Sequence, residues 1–181
     1  AEVAAITEAA MRGEIADYKE SLRRRVSLLA GVPAHALEEV YQQRLRLNPG
    51  ARELVAMCQS AGLRTLLVSG GFTYFTDRVR DTLKIDFTRS NVFEIENGHL
   101  TGRMVDQPWG DICDGLEKRR MLQHTCEQLG ITPRQAIAMG DGANDLPMMH
   151  LCADSGGLSV AYHAKPAVRA QARVSIESGG L

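Results

Sequence analysis

Residues 136–149 have the sequence AIAMGDGANDLPMM, in which a short apolar run leads through a glycine-rich turn into a helix. The run Ala136–Met139 predicts a strand, and the helix continues through Met149. The turn contains Asp141 and Asp145, with Asn144 between them. Such hard oxygen ligands suit Mg²⁺, which takes one or two carboxylates together with phosphate oxygens and water. Helix capping would account for one of these polar residues, so three of them between glycines favour a functional site.

A second polar strand end lies earlier in the chain. The apolar run Leu63–Val68 predicts a strand buried on both faces, ending at Ser69-Gly70-Gly71, and helical spacing resumes over Phe72–Leu83. A hydroxyl and unencumbered backbone amides at the start of a helix favour an anion. A plain glycine turn explains Ser69-Gly70-Gly71 equally well when these residues are considered alone.

The remaining pattern over residues 48–181 alternates strands with helices. The further predicted elements are a helix over Ala51–Ala61, a β-hairpin over Val92–Met104 centred on Asn97-Gly98, a helix over Gly115–Leu129, a strand over Leu158–Ala161, a helix over Lys165–Ala172 and a strand over Val174–Ile176. This alternation predicts an α/β fold with a Rossmann-like parallel sheet. Ligands in such sheets bind at the carboxyl ends of the strands, where both polar turns lie.

Residues 1–47 differ in pattern and predict a small all-helical unit. Val3, Ile6 and Ala10 repeat at helical spacing, and a second apolar face extends from Tyr18 to Leu29. Pro33 is expected to open a third helix. With no strand expected here, we divide the chain into a helical unit at 1–47 and an α/β core at 48–181.

Composition excludes several classes of partner. The chain has 181 residues, with 21 Lys and Arg against 22 Asp and Glu and a formal net charge of −1, which gives no support for nucleic-acid binding. No apolar run approaches the roughly 20 residues that span a membrane. The 4 cysteines are scattered without a Cys-x-x-Cys pair, so neither a disulfide framework nor a zinc site is expected, and a reducing cytoplasm is the default location.

Lys118 begins the helix that leads into the strand before Asp141. A lysine there could reach across the strand ends and neutralise a phosphoryl group. Most helical lysines are simply solvated, so its significance comes from the order of the motifs: a serine strand end, then the lysine, then the Gly-Asp-Gly-x-x-Asp strand end.

This ordered set resembles the haloacid dehalogenase superfamily of phosphatases, whose second to fourth motifs match Ser69, Lys118 and the pair Asp141 and Asp145. Four longer segments look like phosphoserine phosphatase: VSGGF at 68–72, GDGAND at 140–145, YHAKP at 162–166 and ESLRRRVSLL at 20–29. The resemblance extends over nearly the whole chain, and the last segment resembles the helical cap of that family.

The resemblance implies a core of the haloacid dehalogenase type with a small helical cap at 1–47. It also implies Mg²⁺-dependent hydrolysis of O-phospho-L-serine, a small phosphorylated amino acid, through an aspartyl-phosphate, as the last step of serine biosynthesis. The roles implied for the core are phosphate binding by Ser69 and Gly70, charge compensation by Lys118, Mg²⁺ ligation by Asp141, orientation of metal-bound water or of Lys118 by Asp145, and substrate or phosphate contact by Asn144. In the cap, Arg25 would bind the substrate carboxylate as a planar fork, and Tyr18 stands where the family usually has phenylalanine.

One departure from the family concerns the nucleophile. The family's chemistry begins at an Asp-x-Asp motif on a first strand ahead of the cap, and the sequence contains no such pair. Asp111-Ile112-Cys113-Asp114 has the wrong spacing, and the acidic residue expected to contact the substrate amine is also absent. We therefore expect a core without its first strand, a truncated chain, and little or no phosphatase activity from this polypeptide. Asp106–Asp111 is a further departure, an insertion with no evident role.

Three alternatives stay open. A close relative would transfer the phosphoryl group to another alcohol or act on a different small phosphomonoester. A non-catalytic remnant would bind metal and phosphate, or a partner chain that supplies the first strand. A pure α/β interaction module leaves the turn at 140–145 unexplained. Retention of the Ser69, Lys118, Asp141 and Asp145 set argues against a decayed site.

Overall fold

The computed structural model describes residues 17–181. The predicted helical repeat of Val3, Ile6 and Ala10 lies outside these residues. The helices are α1 Tyr18–Ser27, α2 Ala36–Arg44, α3 Ala51–Ser60, α4 Thr73–Leu83, α5 Gly115–Gln128, α6 Leu146–Asp154 and α7 Pro166–Arg169. The strands are β1 Leu66–Phe72, β2 Phe87–Asn91, β3 Phe93–Glu96, β4 His99–Met104, β5 Ile137–Gly140, β6 Leu158–Tyr162 and β7 Val174–Ile176.

Parallel pairing organises five of these strands into two sheets. β1 pairs with β2, and β5, β6 and β7 pair in that order, all in parallel. Helices connect the parallel strands, and the predicted α/β class is thereby confirmed. Within residues 17–181 β1 and β5 are not hydrogen-bonded to each other. Residues of both strands instead line one cavity.

Strand β1 begins and ends later than the sequence predicts. The expectation that it stops before Ser69 is wrong, because pairing with β2 resumes where Phe72 lies opposite Asn91. The Asn91 side-chain amide also donates to the Gly70 carbonyl oxygen at 2.8 Å, which holds the end of the strand. The expected burial on both faces is also wrong, since all seven residues of β1 are only half-buried.

Strand β2 was not predicted, because its sequence FTRSN contains a single apolar residue. Two polar side chains are nevertheless buried there, Ser90 at 2% exposed and Asn91 at 0%. The hydroxyl oxygens of Ser90 and Thr76 lie 2.7 Å apart. Burial of a polar group is tolerated when it is hydrogen-bonded, so hydrophobic periodicity could not reveal this strand.

The predicted hairpin is confirmed as β3 and β4. Asn97 and Gly98 connect them with φ of 49° and 75°. Both angles lie in the left-handed region, as the two-residue turn that matches strand twist requires. The predicted Asn-Gly centre is therefore the turn.

Residues 31–34 pair with this hairpin, which the sequence did not indicate. Pro33 forms an isolated bridge with His99, and the Ala34 amide donates to the Gly98 carbonyl at 2.8 Å. The expectation that Pro33 opens a helix is therefore wrong, and α2 begins at Ala36. The Pro33 carbonyl accepts from the Ala36 amide at 3.0 Å, so a turn leads from the bridge into α2, while the Ala34 amide is used by the hairpin.

Two helices differ in length from the prediction. Helix α6 continues to Asp154, and the predicted helix over Lys165–Ala172 is a single turn, α7. Lys165 is extended, with ψ of 150°, and Ser159 accepts a hydrogen bond from the Arg173 amide at 3.0 Å. This bond joins Arg173 to β6, and β7 begins at the next residue, so the helix ends at Arg169 rather than at Ala172.

The main apolar core lies between α5, α6 and the sheet of β5 to β7. Its fully buried members include Met149, Cys152 and Ala161, each 0% exposed. In a second cluster, Leu22 and Val26 of α1 pack with Ile112, which lies ahead of α5. Phe93 and Met104 of the hairpin pack against this cluster. None of the helices in residues 17–181 combines the length and the apolar character that a membrane crossing requires.

Candidate active site

The turn after β5 is built around the Asp145 carboxylate. Its Oδ2 accepts hydrogen bonds from the amides of Asp141 and Gly142 at 3.0 and 3.1 Å. A side chain at position 140 would place its Cβ 2.3 Å from the Cβ of Asp145, so only Gly140 allows the carboxylate to fold back over the turn. The turn thus holds Asp145 in one position, at 6% exposed.

Lys118 completes the environment of Asp145. It lies in the first turn of α5, and its Nζ is 2.7 Å from Asp145 Oδ1. The helix begins here because Asp114 accepts a hydrogen bond from the Glu117 amide at 2.9 Å and so caps its N-terminus. The ion pair is buried, with Lys118 at 6% exposed. One of the three ammonium protons is used, which leaves donors for an anion in the cavity.

Within the Ser69–Gly71 segment, Ser69 and Gly70 form another part of the cavity wall. The Ser69 hydroxyl accepts a hydrogen bond from the Gly71 amide at 2.9 Å. Asn91 braces the segment, because its amide nitrogen donates to the Gly70 carbonyl and its Oδ1 accepts from the Cys113 amide at 2.6 Å. Sequence reasoning missed Asn91, and its only signal was a polar residue at the end of a strand that was itself missed.

Tyr18 reaches this wall from α1. A Cβ at residue 70 would lie 2.2 Å from the Tyr18 hydroxyl oxygen, so the close approach requires Gly70. Burial raises the pKa of Tyr18, while the Arg25 guanidinium and the Asn144 side chain act in the opposite direction. The hydroxyl therefore stays protonated at neutral pH and lies between the two polar turns.

One cavity of about 990 Å³ gathers these groups. Its lining includes Tyr18, Ser69, Gly70, Lys118, Asp141, Asn144 and Asp145. Arg25 is the predicted site residue that does not line it. Its Nε donates to the Ser21 carbonyl at 3.3 Å, one turn back along α1.

Asp141 differs from Asp145 in its surroundings. Its side chain is exposed to the cavity, and no side chain or amide of residues 17–181 hydrogen-bonds to its carboxylate. Its backbone carbonyl accepts from the Lys165 amide at 3.2 Å, which anchors the turn. No group of three or more His, Cys, Asp or Glu side chains that could hold a metal occurs in the described part of the chain. A single free carboxylate fits Mg²⁺, which completes its shell with phosphate oxygens and water.

Cys113 lies beside the Ser69–Gly71 segment, since its amide donates to Asn91, which in turn donates to the Gly70 carbonyl. It is 0% exposed, and burial raises the pKa of its thiol to about 12. A thiol is nucleophilic as its thiolate, so Cys113 does not replace a catalytic carboxylate.

We expect Cys113 to resist N-ethylmaleimide at pH 8 in the folded protein and to react once urea unfolds the chain. Mass spectrometry of labelled peptides measures this, and the half-buried Cys58 serves as the control because it should react first. Rapid labelling of Cys113 in the folded protein would contradict its exclusion as a nucleophile.

Comparison with known proteins identifies the family. The model of haloacid dehalogenase-like hydrolases matches residues 2–150. A phosphoserine phosphatase of a Polaromonas species is 73% identical over 181 residues, which are 100% of this chain and 75% of that protein. The unliganded crystal structure of a probable phosphoserine phosphatase from Vibrio cholerae has a TM-score of 0.86 at 41% identity, over 99% of this chain and 53% of that one.

A substrate-bound phosphoserine phosphatase complex is also similar, with a TM-score of 0.85 and 32% identity over 98% of this chain and 80% of that one. The chain thus spans about three quarters of the Polaromonas relative and about half of the Vibrio cholerae chain. It belongs to the haloacid dehalogenase-like hydrolases and, within them, to the phosphoserine phosphatases, which are phosphoric monoester hydrolases.

Proposed function

We propose that the natural gene product hydrolyses O-phospho-L-serine to L-serine and phosphate. The observation that carries this proposal is the buried Lys118–Asp145 ion pair in the wall of the 990 Å³ cavity, which Ser69 and Gly70 also line. A buried ammonium with unused donors favours a dianionic phosphate over a neutral ligand. The phosphoserine phosphatase relatives and the substrate-bound neighbour support the choice of substrate.

In this proposal each polar residue of the core has a separate role in binding the phosphate or the substrate. The Ser69 hydroxyl and the Gly70 amide bind phosphate oxygens, and the Lys118 ammonium offsets the negative charge that accumulates on them. Asp145 fixes the position of Lys118 through their 2.7 Å contact. The Asn144 side chain, beside the Tyr18 hydroxyl, orients the substrate.

The Asp141 carboxylate would hold Mg²⁺, which supplies positive charge at the transferring phosphoryl group when bound. We propose a divalent cation here because the carboxylate has no hydrogen-bond partner within residues 17–181 while its neighbour Asp145 has three. The two carboxylates of one turn thus have separate tasks, one toward the metal and one toward Lys118.

Helix α1 supplies the groups for the amino-acid part of the substrate. Arg25 lies seven residues after Tyr18, two turns along the same face of the helix. In our proposal the guanidinium swings from the Ser21 carbonyl to the substrate carboxylate, which it binds as a fork. We also propose residues 1–47 as a cap over the core of residues 48–181, and a reducing compartment, the cytoplasm, in line with four free cysteines.

No Asp-x-Asp pair occurs in the sequence, so the attacking carboxylate is assigned to none of its residues. We expect the 181-residue polypeptide alone to bind phosphate weakly and to release little or none from O-phospho-L-serine. Steady release by that polypeptide would overturn this part of the proposal.

The function is tested by phosphate release from O-phospho-L-serine by the natural gene product, with and without Mg²⁺. The substrates for comparison are O-phospho-L-threonine and glycerol phosphate, and an added alcohol acceptor separates hydrolysis from phosphoryl transfer. We expect free phosphate and L-serine in equal amounts. Preference for another phosphomonoester, or a phosphorylated acceptor as the main product, would contradict the proposal.

Asp141→Asn tests the metal assignment in the same protein. Since the variant loses the negative charge, we expect the Mg²⁺ concentration for half-maximal activity to rise by about tenfold or more. Asp154→Asn is a matched control, because Asp154 ends α6 and does not line the cavity. An unchanged Mg²⁺ requirement in Asp141→Asn would contradict the assignment.

A further inference from the structure

The inserted segment Asp106–Asp111 contacts α1, the helix that reaches the cavity. Arg23 binds Asp111 through two guanidinium nitrogens, Nη2 and Nε. Nη2 lies 2.9 Å from Oδ2 and 3.2 Å from Oδ1, and Nε lies 3.3 Å from Oδ2. This forked geometry fixes direction as well as distance. The two residues are 88 positions apart, so the pair joins separate parts of the chain.

A second ion pair lies one turn earlier on α1. Lys19 Nζ is 3.3 Å from Asp114 Oδ2. The other oxygen of Asp114 caps α5, whose first turn contains Lys118. The pair therefore connects α1 to the start of the helix that holds the buried cation of the site.

The segment that contains Asp111 is held by contacts of its own. Gln107 and Gly110 exchange backbone hydrogen bonds of 3.0 and 2.8 Å, which closes the insertion into a tight turn. The Trp109 ring at its tip lies 5.2 Å from the guanidinium carbon of Arg89, which pairs with the buried Glu117 of α5. The segment thus contacts Arg89 of β2 through Trp109 and Arg23 of α1 through Asp111.

An apolar contact lies beneath the ion pairs. Ile112, 2% exposed, packs against Leu22 and Val26 of α1. Tyr18, Phe72, Phe93 and Met104 pack against the same cluster, so these apolar contacts seat α1 on the core. The two ion pairs add charged contacts with defined partners to this apolar packing.

We propose that Asp111 and Asp114 are positioning residues: through Arg23 and Lys19 they hold α1 in the position described above, with Tyr18 between the two polar turns of the cavity and Arg25 on the same helix face. The proposal rests on the function proposed above, since it assigns α1 to substrate binding. It also gives the Asp106–Asp111 insertion a task.

The pairs are partly exposed, with side chains 47% and 31% exposed for Arg23 and Asp111, so each is modest and sensitive to salt. Loss of both pairs lowers the fraction of molecules with α1 in this position, and the apparent affinity falls with that fraction. Groups that act on the phosphate are untouched, so the chemical step should not change.

The test uses Asp111→Asn combined with Asp114→Asn in the natural gene product. Asparagine remains a good helix cap, so the second change removes the charge and keeps the start of α5. We expect KM for O-phospho-L-serine to rise about fivefold at low salt with kcat unchanged. The difference from wild type should fade as salt rises from about 0.05 to about 0.5 M.

Two further variants sharpen the result. Arg23→Glu and Asp111→Arg should each raise KM when made alone. Combined as a charge swap, they should bring KM most of the way back to the wild-type value. Glu20→Gln is the matched control, because it removes the pair with Arg24 that lies entirely within α1. An unchanged KM in the double variant, an equal fall of kcat, or a similar effect of Glu20→Gln would overturn the proposal.

Hydrogen exchange of the α1 amides separates this proposal from the proposed function. In the double variant these amides should exchange several-fold faster at low salt, whatever the substrate is. Faster exchange without activity toward O-phospho-L-serine would keep the positioning role and contradict the substrate, while unchanged exchange would contradict the positioning role.

Discussion

Lys118→Met is expected to lower kcat for phosphate release from O-phospho-L-serine by about a thousandfold in the natural gene product. The ammonium is a buried cation in the lining of the cavity that Ser69 and Gly70 also line, and methionine fills its volume without its charge or donors. Steady-state kinetics with saturating Mg²⁺ measure the loss. A variant with more than a tenth of wild-type activity would contradict the role proposed for Lys118.

The same substitution should lower the free energy of unfolding by about 3–5 kcal/mol, because it leaves the Asp145 carboxylate buried without its cation. Asp145 is 6% exposed, and among residues 17–181 it keeps the two backbone amides as partners. Urea unfolding followed by circular dichroism gives the value.

The double variant Lys118→Met with Asp145→Asn is the control. Asparagine removes the uncompensated charge, so stability should recover by more than half while activity stays absent. Equal stability of the single and double variants would show that the cost in Lys118→Met arises from packing rather than from a buried charge.

Gly70→Ala is expected to lower kcat/KM by about a hundredfold, as a displacement of about 1 Å at a site can do. The new Cβ would lie 2.2 Å from the Tyr18 hydroxyl oxygen, so the tyrosine must leave its place between the two turns. Stability should change little, since the displaced atom is the far end of a flexible side chain. Kinetics with O-phospho-L-serine and urea unfolding separate the two effects.

Tyr18→Phe in the Gly70→Ala background tests the cause. The ring carbon that bears the hydroxyl lies 3.4 Å from the same Cβ, an ordinary contact, so phenylalanine fits beside alanine. We expect it to recover about tenfold of the lost kcat/KM. Absence of recovery would mean that the alanine methyl itself blocks the phosphate and that Tyr18 is not the displaced group.

Local sequence was sufficient to locate the chemistry-bearing turns. Asp141, Asn144 and Asp145 follow β5, and their place at the cavity follows from the rule that ligands bind at the carboxyl ends of parallel strands. Ser69 lines the same cavity from within β1. Asn97-Gly98 likewise predicted its hairpin turn, because both positions need left-handed backbone angles.

Other features depend on partners that are distant in sequence. β2 exists because β1 lies beside it, and its buried Ser90 and Asn91 are tolerated only through hydrogen bonds to Thr76 and Gly70. Pro33 joins the hairpin instead of opening a helix for the same reason. No window of local residues contains that information.

The sequence by itself determined the α/β class, the family and seven of the residues that line the cavity, because strand ends and glycine turns are encoded within a few neighbouring positions. Only the tertiary structure decided that Asp145 pairs with Lys118 while Asp141 stays free within the described residues, and that Arg25 lies outside the cavity lining. It also decided that the insertion at 106–111 binds Arg23. The physical reason is that ion pairing depends on the distance in space between two opposite charges. The fold, and not the spacing along the sequence, sets that distance.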